Sequence, residues 1–316
     1  MSENLPSNGG VKRVFVDGAT GFVGTNVIEE LVARGIEVSA LAHSSSVKVD
    51  SGLIRETKGG LFGPESLAEA MAGCDAAIHL VGIIEEKGDA TFEKMHVDGT
   101  RVVLEAAKAA GVERYVHMSA LGSRANAVSE YHKTKYAAEQ LVKQSGLTYT
   151  IFRPSMIHGP RGEFMRQAAG WARGSQLPFL FMPYFGKGLF GLGGSGKIAP
   201  VYVKDVARAF ADALTNDKAR GRIYNVCGPD AMDWPTMHKI ISTAVRGEKK
   251  AAVPVPAWYA KAVASVVPAS WIPFNKAQVQ MSQEDNVGDM TEFLGDFDIE
   301  PAPFEATVQS YGQQLR

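Results

Sequence analysis

The sequence predicts an α/β fold built on a doubly wound parallel sheet, with a small, partly inserted C-terminal region. Three observations carry that prediction. Apolar strand patterns alternate with amphipathic helix patterns from Val11 to about Arg153, the rhythm of parallel strands joined by crossover helices that cover both faces of a sheet. The run Val14-Phe15-Val16-Asp17-Gly18-Ala19-Thr20-Gly21-Phe22-Val23-Gly24 joins an apolar strand to a glycine-spaced turn and a helix start, which is the opening unit of a Rossmann-type sheet. After Pro154 the rhythm breaks into Gly- and Pro-rich aromatic stretches at 158–164 and 174–196, and order returns at Val201-Tyr202-Val203-Lys204-Asp205-Val206-Ala207.

Each element follows from local pattern. In the first turn Gly18 allows a sharp bend, Gly21 lets backbone approach a pyrophosphate, and Gly24 lets the next helix pack close to the strand, with the anion held at that helix's N-terminus. Thr20, Phe22 and Val23 share the turn and complete a candidate dinucleotide contact. A glycine-rich turn without a ligand is the alternative, and the strand, turn, helix, strand context weighs against it. Val23, Val27, Ile28, Leu31 and Val32 form one stripe at helical spacing, Gly35 closes the helix, and Ile36 to Leu41 reads as the second strand. Ala76 to Val81 is a buried strand that delivers Val81 and Gly82 to the cofactor side. Asp98 to Ala110 is a helix, Arg114 to Met118 a strand, Tyr131 to Gln144 a long helix, and Leu147 to Phe152 a sixth strand ending at Arg153-Pro154. Residues 10–155 are therefore expected to form the dinucleotide-binding domain, with elements returning around 201–230, and 156–316 a smaller region for substrate and interaction.

Composition bounds the function. A chain of 316 residues with 45% hydrophobic content buries a full core and a smaller second one. With a formal net charge of -1 and scattered basic residues, nothing draws it to nucleic acid. Cys74 and Cys227 are the only cysteines, too few and too separated for a disulfide framework or a metal site, so a cytoplasmic setting is expected. Met1 to Gly10 is polar without a signal pattern, and no stretch reaches the ~20 apolar residues of a bilayer span. Membrane contact, if made, is expected to be peripheral, at the inner face.

Tyr131 and Lys135 stand four apart at a helix start, so both project from one face over the carboxyl edge of the sheet. A phenol of ordinary pKa ~10 is a poor base at neutral pH, and a nearby ammonium favours the phenolate. That spacing predicts a lowered Tyr131 pKa and proton exchange with a substrate hydroxyl or carbonyl as hydride moves; a mere surface helical pair is the plainer reading. Cofactor choice turns on the residue after the second strand, where an acid would bind the adenosine 2′-hydroxyl and repel a 2′-phosphate. Ala42-His43-Ser44-Ser45-Ser46-Val47-Lys48 has no acid. His43, Ser44 and Ser45 suit a phosphate, so NADP(H) is favoured, with NAD(H) as the alternative.

The Gly-x-x-Gly-x-x-Gly turn, the Tyr131-x-x-x-Lys135 pair, His96-Val97-Asp98-Gly99-Thr100, Val116-His-Met-Ser-Ala-Leu-Gly122 and Arg153-Pro154-Ser-Met-Ile-His-Gly159-Pro160 together resemble the short-chain dehydrogenase/reductase superfamily in its extended or atypical branches. Pro200-Val-Tyr-Val-Lys-Asp-Val-Ala207, Tyr224-Asn-Val-Cys-Gly-Pro229 and Gln283-Glu-Asp-Asn-Val287 extend the likeness over nearly the whole chain, toward the branch of the NADPH-binding accessory subunit of respiratory complex I. The resemblance implies that Lys135 also contacts the nicotinamide ribose, that Arg153 and Pro154 pass beside the nicotinamide, and that a hydroxyl at the end of the preceding strand orients the substrate oxygen. Relatives commonly use the second of two hydroxyl residues there. This chain has Ala120 in that place, which leaves Ser119 or Ser123. His96 replaces an asparagine, and is either a satisfied polar contact or an active residue. Gly59-Gly60-Leu61-Phe62 stands where relatives carry an Asp beside the adenine. Two functions follow: an NADP(H)-dependent oxidoreductase or epimerase-like enzyme with Tyr131, Lys135 and Ser119 as catalytic residues, acting on a small-molecule, lipophilic and quinone-like substrate; or a non-catalytic NADPH-binding structural or assembly subunit. The apolar stretches 177–185 and 253–274, with Trp258, Tyr259 and Trp271, read as a small core closing over the cleft or as a surface that meets a protein partner or a membrane.

Overall fold

The computed structural model describes residues 10–267, 272 and 274–315; Met1 to Asn8 and Gly9, like Trp271, lie outside them. In chain order the elements are β1 (Arg13–Val16), α1 (Phe22–Ala33), β2 (Glu37–Ala42), β3 (Ile54–Lys58), α2 (Pro64–Met71), β4 (Ala76–His79), α3 (Gly99–Ala109), β5 (Arg114–Met118), α4 (Glu130–Gln144) and β6 (Thr148–Pro154). There follow β7 (Ile157–His158), α5 (Glu163–Arg173), β8 (Met182–Gly186), β9 (Lys197–Ile198), β10 (Val201–Tyr202), α6 (Val203–Ala213), β11 (Arg222–Val226), β12 (Met232–Asp233) and α7 (Trp234–Arg246). The chain ends with β13 (Ala252–Pro256), α8 (Ala257–Val266), α9 (Lys276–Met281), α10 (Thr291–Asp296) and α11 (Phe304–Tyr311).

Strand periodicity builds the two faces of the sheet. Val14 and Val16 of β1, Ala76 and Ile78 of β4, Val116 of β5 and Phe152 of β6 enter one core with Val27, Ile28 and Leu31 of α1 and Val206 and Phe210 of α6. Phe15, Ala77, Tyr115 and Ile151, the alternate residues of the same strands, enter the opposite core with α2 and α3. The seven strands run parallel in the order β11-β6-β5-β4-β1-β2-β3. That order reverses direction between β1 and β4, and a crevice opens beyond their carboxyl ends, where open α/β sheets bind ligands.

A third core lies outside the sheet, where Met165 and Trp171 of α5, Met237 and Ile241 of α7, and Phe304, Val308 and Tyr311 of α11 pack together. Besides α6 and β11, a later stretch also returns to the main sheet: Phe293 and Phe297 stack at 4.9 Å and set their edges against Phe152 at 6.4 and 5.6 Å. Residues 290–299 thus serve the first core although the sequence places them in the second region. The pairing of β13 with β8 sets the apolar segments 182–186 and 252–256 side by side. Among the described residues no helix is long and apolar enough to cross a membrane.

Candidate functional site

Glycine geometry defines the floor of the crevice. Gly18 has φ +60°, and a Cβ there would lie 3.2 Å from the Leu80 and Val81 backbone, so the turn passes against the end of β4. A Cβ on Gly24 would sit 2.2 Å from the Gly18 carbonyl oxygen and 2.9 Å from Ala19 Cα. Only glycine lets the first turn of α1 close on the loop that precedes it. Gly21 donates to the Gly18 carbonyl at 3.0 Å and stands as the N-cap of α1. No side chain caps that helix and no acid occupies its first turn, which leaves its leading amides for an anion. Thr20, Phe22 and Val23 are partly exposed at this end. The Phe22 ring also packs on the loop after β7, within 3.1–3.4 Å of where side chains on Gly159 and Gly162 would begin.

Behind the turn lies a buried polar cluster that the sequence reading missed. Asp17 is fully buried; its Oδ1 accepts the Leu80 and Val81 amides at 2.7 and 2.9 Å, and its Oδ2 accepts from His79 Nδ1 at 2.5 Å. Thr100 gives its one proton to the His96 carbonyl at 2.6 Å and faces His79 Nε2 at 3.1 Å, so both ring nitrogens of His79 have partners. His117, in register with His79, stacks on it at 5.2 Å and has no partner at either nitrogen among the described residues. Burial, with His79 and Lys135 nearby, holds its pKa well below the usual histidine value. The available signal was an acid immediately after an apolar strand and a histidine at the same level of two adjacent strands.

Val81 and Gly82 continue from β4 into the crevice, where Lys135 and His96 close around Gly82 and Tyr131 packs against His96. A Cβ on Gly82 would lie 2.8 Å from Lys135 Nζ and 3.5 Å from His96 Nε2. His96 sits in a π-helical turn, 93–98, that runs directly into α3; such turns recur at functional sites. Its Nδ1 meets Thr134 Oγ1 at 2.9 Å and its Nε2 the Ile83 backbone at 3.1 Å. Burial, reinforced by Lys135, lowers its pKa to about 2. It is a satisfied, neutral contact. The Tyr131 ring stands edge-on to His96 at 5.4 Å and to Phe92 at 5.9 Å.

Two side chains differ here from the expected arrangement. The Tyr131 phenol is raised to about 12 by burial rather than lowered, because Lys135 Nζ turns to the Met118 carbonyl at 3.0 Å. Lys135 bears the downward shift instead: burial takes it to about 8 against the pull of Asp17 and Glu139. The Ser119 hydroxyl, expected to orient substrate, lies 2.5 Å from Glu139 Oε1, with Ser123 Oγ at 3.2 Å. Glu139, fully buried, is also the bidentate partner of Arg153, at 2.7 Å from Nε and 2.5 Å from Nη2. Ser119 and Arg153 therefore share one carboxylate beneath the crevice, with Pro154 following at the end of β6.

At the far end of the crevice His43, Ser44 and Ser45 are exposed after β2, and the His43 ring lies 3.3 Å from where a Gly60 side chain would begin. Two residues of β3 that the sequence reading did not weigh shape this loop. Glu56 accepts the Val47 amide at 2.6 Å and pairs with Lys58 at 2.7 Å, and Lys58 donates to Ser46 Oγ at 2.8 Å. Among the described residues no cluster of His, Cys, Asp or Glu could hold a metal ion.

Comparison with known proteins agrees with this geometry. The model of an NAD(P)H-binding family matches residues 18–169. The 4-hydroxy-2-methyl-3-oxo-4-farnesyl-3,4-dihydroquinoline-1-oxide ketoreductase of Stigmatella aurantiaca is 37% identical over 46% of this chain and 51% of its own length. The mitochondrial NADH dehydrogenase (ubiquinone) 1 alpha subcomplex subunit 9 of Arabidopsis thaliana is 29% identical over 79% of this chain and 62% of its own. The chain thus spans about half to three-fifths of the length of these curated relatives. UDP-glucose 4-epimerase of Thermus thermophilus, solved with NAD, superposes with a TM-score of 0.72 over 96% of this chain and 99% of its own at 22% identity, which shows the shared fold. Residues 18–169 thus match an NAD(P)H-binding family, the chain is similar over most of its length to a complex I subunit, and its fold is the one seen in the NAD-bound epimerase.

Proposed function

We propose that this protein is an NADP(H)-dependent reductase of a lipophilic, quinone-like or ketonic carbonyl compound. The observation that carries the reading is the closure of His96 and Lys135 around Gly82 at the sheet's switch point, with Tyr131 packed on His96, beside an uncapped helix and a glycine turn that side chains would obstruct. The residues fit a dinucleotide: the α1 amides would hold the pyrophosphate, Lys135 the nicotinamide ribose, and His43 with Ser44 and Ser45 the 2′-phosphate, which favours NADP(H) over NAD(H). When bound, the reduced nicotinamide supplies hydride to a carbonyl carbon.

The chain's own residues handle the proton. With its pKa near 12, Tyr131 keeps its proton at neutral pH, and a phenol suits donation to the oxygen on which charge builds as a carbonyl is reduced. The C=O π pair moves to oxygen, the Tyr131 Oη–H bond breaks, and the product is the alcohol. An epimerase-like cycle needs the reverse step as well, with a phenolate as base, and burial works against that. Ser119 supports the site indirectly by anchoring Glu139, one helical turn beyond Lys135. The printed name of the Stigmatella relative, a ketoreductase acting on a farnesylated ring, supports a lipophilic carbonyl substrate.

A structural or assembly role remains as a second reading, favoured by one observation: the Ser119 proton is committed to Glu139 and Ala120 offers none. Purified protein titrated with NADPH and NADH, then assayed for loss of reduced nicotinamide with prenylated ketones and quinones, separates the two. The reductase reading expects NADPH to bind more tightly and Tyr131→Phe to cut turnover by about a hundredfold or more at unchanged NADPH affinity. NADPH binding with no turnover on any carbonyl compound would leave the structural role.

A further inference from the structure

We infer that this protein docks peripherally on a bilayer containing anionic lipid, through the loop between β8 and β9 and the start of α8. The loop is built to hold apolar side chains outward. Lys187 N donates to the Gly194 carbonyl at 2.8 Å, Gly193 N to the Lys187 carbonyl at 2.9 Å, and Gly186 and Gly191 pack so closely that a side chain on Gly186 would strike the Gly191 carbonyl. Leu189, Phe190 and Leu192 project from it, 67%, 73% and 78% exposed. The Trp258 indole donates to the Leu189 carbonyl at 2.9 Å and its ring lies 6.0 Å from that of Tyr259, so two half-exposed aromatics flank the same tip. Leucine and phenylalanine at the apex with Trp and Tyr beside them is the order in which a monotopic surface meets acyl chains and headgroups.

Charge selects the occupant. The pairing of β8 with β13 sets 182–186 beside 252–256, and in sequence the stretches around them, 174–196 and 249–276, contain Lys187, Lys249, Lys250, Lys261 and Lys276 and no Asp or Glu. This is in a chain whose net charge is -1. Lys187 on the loop itself and Lys261 on α8 set positive charge on the same two elements as the exposed aliphatic and aromatic tips, while Asp233 and Asp285 lie toward the β9 end of the loop; that combination suits a negatively charged lipid surface. The patch also borders the crevice: Asn275, which caps α9, donates to the Ile84 carbonyl at 3.1 Å, two residues beyond Gly82, and Gln283 donates to the Phe185 carbonyl at 3.0 Å. Docking rests on the patch alone and does not require the reductase reading.

The test is co-sedimentation of the full chain with vesicles of phosphatidylcholine alone or with about 30% phosphatidylglycerol. We expect binding to the anionic vesicles, little to the neutral ones, and loss of binding as NaCl is raised to about 0.5 M. The double variant Phe190→Glu, Leu192→Glu should lose about tenfold or more in partitioning. Leu294→Glu, an exposed apolar site on α10, should bind as the parent does. Melting temperatures equal to the parent's show that both variants fold. The inference is overturned if the parent stays in the supernatant with both vesicles, if it binds neutral and anionic vesicles alike, or if the loop variant binds undiminished. It is equally overturned if sedimentation equilibrium without lipid shows a dimer that Phe190→Glu dissolves, which would make a second copy the occupant.

Discussion

Lys135 offers the sharpest quantitative test of the site. Burial depresses its ammonium from 10.5 to about 8. For a base the folded form then disfavours the charged state, so the cost to stability is complete below the folded value and disappears above the unfolded one. The window runs from about pH 8 to about pH 10.5. At pH 7 the cost is about 3 kcal/mol, and by pH 9.5 it falls to about 1.4 kcal/mol. Stability attributable to Lys135 therefore rises by about 2 kcal/mol between these two conditions.

Lys135→Met removes that dependence. It also removes the hydrogen bond to the Met118 carbonyl, worth about 1 kcal/mol, but that loss is the same at every pH. Urea unfolding of the parent and the variant at pH 7 and pH 9.5 isolates the titration as a change in the gap between them. We expect the gap to move about 2 kcal/mol in the parent's favour as pH rises. Parallel profiles would refute the argument that burial holds the ammonium down. Saturating NADPH should move the window upward, because ribose hydroxyls that accept from the ammonium stabilise its charged form.

Other outcomes follow from single contacts. Gly24→Ala drives a Cβ into the Gly18 carbonyl and Ala19 Cα; we expect a loss of about 1–3 kcal/mol by denaturant titration and of NADPH binding by fluorescence. Glu139→Ala strands the Arg153 guanidinium and the Ser119 hydroxyl together, and breaking a buried pair of this kind should cost about 3 kcal/mol or more, read from the urea midpoint. Cys74 and Cys227 are buried and each is raised to about 11, so an aromatic disulfide reagent at neutral pH should react with neither in the folded protein and with both in denaturant. Asp17→Asn keeps the shape but weakens acceptance from two amides and His79; NADPH affinity should fall with the melting temperature, and an unchanged affinity would show that the turn does not depend on the buried cluster.

Much of the fold was legible because it is local. Strand alternation sorted residues such as Val14 and Phe15 onto opposite faces, and the spacing of Gly18, Gly21 and Gly24 carried its steric reason with it. What stayed hidden depends on contacts between distant segments. Asp17 meets His79 across 62 residues, and Ser119 meets Glu139 across 20; no periodicity joins them. The Tyr131 pKa failed for another reason. A four-residue interval puts Lys135 on the same helical face, but the direction of its ammonium is decided by an acceptor on β5, and burial then acts on the phenol unopposed. The stretch 177–185 was visible as apolar, whereas Leu189, Phe190 and Leu192 lie beyond it, and their outward presentation is set by tight glycine turns that composition does not reveal.

The charge balance around Lys135 bears on the proposed contact with the cofactor ribose. Two buried carboxylates stand near it, and neither is free to pair. Asp17 is held by His79 and two amides, and Glu139 by Arg153 and Ser119. Their fields favour the ammonium without contact, while its one hydrogen bond among the described residues is to the Met118 carbonyl. An ammonium has three donors, and leaving donors unused in a buried place is costly. The fold tolerates this because the two unused protons of Lys135 stand beside Gly82, where no side chain intervenes, and hydroxyls of a bound ribose would supply the acceptors that the chain itself withholds.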